Sequence, residues 1–245
     1  MNVIGVIPAR YESTRCAHKL VREVFGKPLI QWTWENAKCA HLLDKLIIAT
    51  DSPVIAGLAK EFNTEAVLTS VEHPSGTDRI AEAVRDIEAK IVINIQADEP
   101  LVHPSVINSV AQVLLDNPQL VMATAIKKID DPRQMRDPNV VKVIADRDGY
   151  AMYFSRFPIP YYRNSQANKL HYKHIGVYGY TKDFLFTFKN LLPSPLEKAE
   201  KLEQLRAIEA GYKIKLTETQ FESWGVDSDD DFDKIEQLLK ERKYV

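Results

Sequence analysis

The sequence predicts an α/β protein built on a mostly parallel central sheet with helices on both faces. Short β-branched runs alternate with helical segments over the first half of the chain, the rhythm of right-handed βαβ units. Ile91–Gln96 is a continuous apolar run that ends in polar residues, as a central strand buried on both faces does where its end meets a ligand. From Val140 the rhythm changes to closely spaced strands and a long proline-bearing loop. One domain over residues 1–245 is expected, with 130–180 a β-rich insertion serving a second substrate or a dimer contact.

Each element has a local reason. Val3–Ile7 reads as the first strand, and Pro28–Leu42 as a helix with proline in its first turn. Leu46–Thr50 is the second strand. Ser52 and Pro53 then supply the N-cap and first position of a helix to Phe62. A strand over Glu65–Thr69 and a helix over Thr77–Glu88 precede Ile91–Gln96, followed by a helix over Pro104–Asp116 and an extended Val121–Ile126. Val140–Ala145, Tyr150–Ser155 and His174–Tyr180 are the later strands, with the loop Phe157–Tyr172 among them. Helices over Thr181–Leu191 and Leu196–Ala210, a strand over Lys213–Glu218 and a last helix from about Ser228 complete the chain.

The composition narrows the function. The 245 residues are 45% hydrophobic and carry a net charge of −2, enough apolar content for a full core and too little basic excess for general nucleic-acid binding. No apolar run approaches the ~20 residues that cross a bilayer, and the start carries no basic n-region or cleavage site. Cys16 and Cys39 form neither a disulfide framework nor a CxxC clamp and read as free thiols. A cytoplasmic location is the expectation.

Ligands of such sheets bind at the carboxyl ends of the strands, so the loops after Ile7, Thr69 and Ile95 should share one cleft. Between Arg10 and Lys27 lie five positive residues (Arg10, Arg15, Lys19, Arg22 and Lys27) against Glu12 and Glu23. Guanidinium groups there suit a polyphosphate, although the same run serves equally as a solvated surface. Neither a GxxxxGK[ST] nor a GxGxxG pattern is present. At Ser75-Gly76-Thr77-Asp78-Arg79 a glycine and several donors meet a helix N-terminus, where Ser75 or Thr77 can also act as a simple cap. Gln96, Asp98 and Glu99 leave the buried strand at the expected ligand position. Mg²⁺ needs only one or two carboxylates beside phosphate oxygens, which Asp98 can supply unless it sits in a solvated turn. Asp227 is a second candidate, or the N-cap of the last helix.

Taken together, these segments resemble the 3-deoxy-manno-octulosonate (Kdo) cytidylyltransferases. The resemblance rests on Ile7-Pro8-Ala9-Arg10-Tyr11 with Ser13 and Arg15, Ala49-Thr50-Asp51, Ser75-Gly76-Thr77-Asp78-Arg79 and Asn94-Ile95-Gln96-Ala97-Asp98-Glu99-Pro100. It continues through Ala151-Met152-Tyr153-Phe154-Ser155-Arg156, Lys173-His174-Ile175-Gly176-Val177-Tyr178-Gly179-Tyr180, Leu202-Glu203-Gln204-Leu205-Arg206 and Gly225-Val226-Asp227. It implies a Rossmann-like nucleotide-diphospho-sugar transferase fold, CTP and a Kdo-type sugar acid as substrates, Mg²⁺ as cofactor and a homodimer. By matched position, Arg10, Arg15, Lys19 and Asp98 would be catalytic. Pro8, Ala9, Arg10, Lys19, Ser75, Gly76, Arg79 and Gln96 would hold the nucleotide. Asp98 and Asp227 would hold Mg²⁺, and Arg156, Arg163, His174, Tyr178, Glu203 and Gln204 would line the sugar site. The two arginines suit a carboxylate, and the other four residues suit hydroxyls.

The chain departs from the family at two places near the chemistry. Ala17-His18-Lys19-Leu20 stands where members commonly read Pro-Gly-Lys-Pro, which removes an easy left-handed backbone. Ala97 replaces a glycine before the metal aspartate, a change that costs about 1 kcal/mol if that position needs a positive φ.

Overall fold

The computed structural model describes residues 1–12, 16–163 and 170–241. Val3–Ala9 (β1) opens the chain, and a short hairpin of Glu23–Val24 (β2) and Lys27–Pro28 (β3) leads into helix Leu29–Lys38 (α1). There follow Lys45–Thr50 (β4), Pro53–Glu61 (α2), Glu65–Leu68 (β5), Gly76–Ala83 (α3), Ile91–Asn94 (β6), Pro104–Asp116 (α4) and Met122–Lys128 (β7). The second half comprises Lys142–Ala145 (β8), Ala151–Ser155 (β9), Tyr172–Thr181 (β10), Lys182–Asn190 (α5), Pro195–Glu200 (α6), Leu205–Glu209 (α7), Lys215–Thr219 (β11) and Asp229–Glu241 (α8). No helix among the described residues is long and apolar enough to cross a membrane.

The main sheet runs β11-β7-β10-β6-β1-β4-β5, with β8 paired to β10 and β9 to β8. The pairs β1–β4, β1–β6, β4–β5 and β7–β11 are parallel, while β10 is antiparallel to both β6 and β7. The sheet is therefore mostly parallel, with one reversed strand near its centre. That reversal brings the start of β10, with His174 opposite Ile126, to the same end as the carboxyl termini of β1, β4 and β6. Of the β-rich stretch 130–180, β8 and β9 form an outer hairpin, whereas Tyr178–Thr181 of β10 pair directly with Asn94–Ile91 of β6.

Alternation along the strands divides the core in two. Val3, Ile7, Ile91, Ile93 and Ile95 pack on one face against Leu29, Trp32, Ile107, Val110, Phe232 and Ile235, from α1, α4 and α8. Ile4, Val6 and Val92 pack on the other against Ile80 of α3, Val84 just after it, Phe184 and Phe188 of α5 and Leu205 of α7. Burial on both faces is why these strands read as unbroken apolar runs.

Ser52 caps α2 through Val54 N and Ile55 N as the sequence predicts. The helix expected over Thr77–Glu88 stops at Ala83, and the one expected over Leu196–Ala210 divides into α6 and α7. The break falls at Lys201, whose φ of 55° is left-handed. The β2–β3 hairpin was not legible in the sequence. Its two turn residues, Phe25 and Gly26, both have positive φ, which suits the twist of a tight hairpin.

Gly179 marks the closest approach of a helix to β10. A Cβ there would lie 2.7 Å from Leu114 Cδ1, 2.8 Å from Val110 Cγ1 and 3.1 Å from Ile93 Cδ1. Gly179→Ala is expected to destabilise the protein by about 1–3 kcal/mol through overpacking, read as a lower urea midpoint with unchanged slope.

Candidate active site

The first loop leaves β1 at Ala9, which is itself fully buried and backs the site. Arg10 is exposed and donates from Nη2 to His73 O at 2.6 Å. His18 adopts a left-handed backbone with φ 53°, the conformation that the family resemblance would assign to a glycine. Its ring lies 4.2 Å from that of Tyr11. The Lys19 that follows is 8% exposed and turns inward, donating to Asp98 Oδ2 at 2.6 Å, Val226 O at 2.6 Å and Asp227 Oδ1 at 3.1 Å. Burial by itself would lower the pKa of this ammonium, but the Asp98 carboxylate, followed by Asp227, outweighs it and raises the value.

Asp227 reaches the site because Val226 N donates to Asp98 O at 3.0 Å, pinning the segment before α8 to the end of β6. The carboxylate that folds back over this segment is Asp231, which accepts from Asp227 N and Ser228 N at 2.9 and 2.8 Å. Ala97 is buried and lies outside the residues with positive φ, so the alanine carries no left-handed strain. Of the other basic residues in the first loop, Arg22 pairs with Asp229, and Lys27 pairs with Glu35 at 2.8 Å. Arg15 lies outside the described residues.

Two clefts meet at Asp98. The first, of about 390 Å³, includes Asp98, Glu99, Gln134, Asn139, Lys173, His174, Trp224, Asp227 and Lys234 in its wall. The second, of about 290 Å³, is lined by Pro8, Arg10, Glu12, Lys19, Leu20, Gly76, Arg79, Gln96, Ala97 and Asp98. Seven of the residues expected at the nucleotide and metal thus share the second cleft. Arg79 rises from α3 with its side chain fully buried, donating to Asp51 Oδ2 at 2.6 Å and to Thr69 Oγ1 at 2.5 Å. Gly76 permits close packing here, since a Cβ would come within 3.3 Å of Pro8 Cγ.

The expected sugar residues divide. His174 lines the first cleft, held between Phe154 and Tyr178 at ring separations of 5.4 and 5.0 Å. Its Nε2 lies 2.9 Å from Thr124 Oγ1, and that hydroxyl donates to Val177 O at 2.8 Å. Glu203 and Ser75 line a third cleft, where Thr77 Oγ1 donates to Glu203 Oε2 at 2.8 Å. Ser75 is also the N-cap of α3 through Asp78 N. Gln204 is buried at the start of α7. Arg156 donates to three carbonyls, Glu200 O at 2.8 Å, Pro138 O at 2.8 Å and Lys201 O at 3.5 Å, and lines none of the three clefts. Arg163 is exposed and lines none of them either.

Sequence reasoning passed over Lys173, Lys234 and Trp224. Lys234 sits 3.5 Å from the Trp224 ring centre, and Lys173 pairs with Glu222. Lys173 opens the Lys173–Tyr180 segment, but no pattern in the chain links it to Trp224. Glu99 is pushed up to about 7 by burial, although Ser223 donates to it.

Burial holds His174 down to about 3, against an ordinary histidine near 6.5 once unfolded. The unfolded chain therefore binds a proton that the folded one refuses. The stability is full above pH 6.5 and is lost as pH falls toward 3. Wild type is expected to lose about 2 kcal/mol more than His174→Gln between pH 7 and pH 5, measured by urea unfolding at both values.

A mostly parallel sheet whose strand ends carry a basic cleft and a converging carboxylate pair is the architecture of a nucleotidyltransferase. A cytidylyltransferase family model matches residues 4–214. The chain belongs to the 3-deoxy-manno-octulosonate cytidylyltransferases. It is 45% identical over 244 residues to the enzyme of that name from Chloroherpeton thalassium, covering 99% of both chains. With the Solibacter usitatus enzyme of the same name it shares 44% over 238 residues, covering 97% of this chain and 94% of the relative. The solved structure of a CMP:2-keto-3-deoxy-manno-octonic acid synthetase complexed with CTP superposes with a TM-score of 0.93 at 36% identity, covering 99% of this chain and 100% of that one. A cytidylyltransferase from Leptospira borgpetersenii, at 13% identity and a TM-score of 0.67, shares the fold.

Proposed function

We propose that this chain transfers CMP from CTP to the anomeric hydroxyl of Kdo, releasing pyrophosphate and supplying CMP-Kdo for lipopolysaccharide assembly. The observation that carries the reading is the position of Asp98 as the wall common to two clefts, one basic and one lined by mixed polar groups. The relatives' names and the CTP complex of the solved homologue support it.

In this reading Arg10 and Lys19 face the triphosphate side, and Ser75, Arg79 and Gln96 help to place the cytidine beside Gly76. Arg15 is assigned to the phosphates by family position. His174, on the wall of the first cleft, is offered to a sugar hydroxyl, and Tyr178, Glu203 and Gln204 are assigned to the sugar by family position. Arg156 and Arg163 are assigned to the sugar carboxylate by family position. Attack of the sugar hydroxyl on the α-phosphorus forms one P–O bond and breaks another, with pyrophosphate carrying the leaving charge.

Asp98 and Asp227 are suited to Mg²⁺, because the two carboxylates already converge on one cation, the Lys19 ammonium. Among the described residues no group of three or more His, Cys, Asp and Glu side chains forms a metal cage. Mg²⁺ bound by few carboxylates completes its shell with phosphate oxygens and water, which fits a site of this kind. When bound, the ion would offset charge on the triphosphate and the departing pyrophosphate. A homodimer is part of the proposal. Met152, Phe157 and Tyr161, at 58%, 75% and 89% exposure, put apolar surface around β9 and the loop after it, as such contacts require. The cytoplasm, where CTP is made, is the proposed setting.

The test is pyrophosphate release from CTP and Mg²⁺ with and without Kdo. Release that requires Kdo supports the reading. Release with 8-amino-Kdo alone would reassign the sugar, and none with either acid would overturn it.

A further inference from the structure

Lys19 spends all three of its ammonium hydrogens on the acceptors around the proposed metal position: Asp98 Oδ2, Asp227 Oδ1 and the carbonyl of Val226. Its side chain is 10% exposed, while those of Asp98 and Asp227 are 31% and 42% exposed, so an enclosed ammonium meets carboxylates that still open onto the clefts. An ammonium and a divalent ion in contact with the same carboxylate oxygens repel each other at that short range. One must leave before the other enters. Lys19 also lines the basic cleft together with Arg10 and Arg79. The left-handed His18 and the 3-10 turn over Lys19–Val21 fix its backbone, so rotation of the side chain is the movement available to it.

We infer that Lys19 is a resident counter-ion of the Asp98–Asp227 pair and yields that position to the metal when a triphosphate enters the basic cleft and offers the ammonium new oxygens. The inference rests on the proposed metal role of the two aspartates. The device offsets one of the two carboxylate charges while the site is without substrate. It also makes metal affinity depend on nucleotide, so that a divalent ion without nucleotide binds weakly.

The experiment measures Mn²⁺ binding to the full chain by electron paramagnetic resonance, without nucleotide and with CTP. Without nucleotide, Lys19→Met is expected to bind Mn²⁺ about tenfold more tightly than wild type. Arg10→Met removes the same charge from the same cleft, but Arg10 contacts the His73 carbonyl and not the aspartates. It is expected to stay within about threefold of wild type. Should Lys19→Met not fold, Lys19→Gln, which keeps a neutral donor for the Val226 carbonyl, carries the same measurement. Equal affinity in Lys19 variants and wild type, or equal tightening by Arg10→Met, would overturn the inference. If Asp98→Asn leaves Mn²⁺ binding in the presence of CTP unchanged, it is the metal assignment itself that fails.

Discussion

Asp98→Asn is expected to lower pyrophosphate release about a thousandfold or more while leaving the fold intact. Asparagine keeps the shape of the side chain and its acceptor oxygen but removes the charge. Lys19 retains Val226 O at 2.6 Å and Asp227 Oδ1 at 3.1 Å, so its ammonium does not become a bare buried ion. The loss should therefore appear in kcat, with the thermal midpoint within a few degrees of wild type. Because Asp98 is common to both clefts, no neighbouring carboxylate occupies an equivalent place. Glu99 lines only the first of them, its pKa pushed up to about 7 by burial and its carboxylate accepting from Ser223. A variant that retains a tenth of wild-type activity would remove Asp98 from the chemistry.

The second large effect is one of stability. Asp51→Ala takes the carboxylate away from Arg79, whose side chain is 0% exposed. The Nε of Arg79 is already buried without a partner, so the guanidinium depends on Asp51 and Thr69 for its compensation. Removing one partner of such a buried pair costs about 3–5 kcal/mol. In a chain of this size the expected fall in Tm is about 6–20 °C. Arg22 and Asp229 make the informative contrast. Their side chains are 41% and 82% exposed, so Asp229→Ala is expected to change stability by less than about 1 kcal/mol. Scanning calorimetry of both variants separates the cases, and equal shifts would show that burial is not the deciding term.

The sequence shows plainly what depends on local pattern. The alternation of Val3–Ala9, Lys45–Thr50 and Ile91–Asn94 with helices identified a parallel sheet, and the Ser52–Pro53 pair located a helix start. Asp98 was legible because an apolar strand delivered it to the ligand end. Features set by tertiary contact were not legible. Leu196–Ala210 has a continuous helical pattern with no glycine or proline at the break. The interruption accompanies a contact across the fold, in which Glu200 accepts from Ser155 Oγ at 2.6 Å and from Arg156 N at 2.9 Å. Arg156, read as a partner for the sugar carboxylate, secures that junction through main-chain carbonyls in this structure. Periodicity also gives the faces of a strand and not its neighbours, so nothing local announced that His174–Tyr180 would run backwards between β6 and β7.

That reversed strand governs how such an enzyme could be recombined. Tyr172–Ile175 pair with β7 and Tyr178–Thr181 with β6, so one continuous backbone carries His174 at the cleft and Tyr180 in the core. The residues proposed to meet the sugar cannot be exchanged as a cassette ending at residue 180 without cutting the sheet through its middle. A graft limited to the outer hairpin of β8 and β9 keeps the sheet whole but leaves His174 and Tyr178 behind. Changing the acceptor by transplantation therefore requires point substitutions along β10, chosen to preserve Gly179 and its contact with α4.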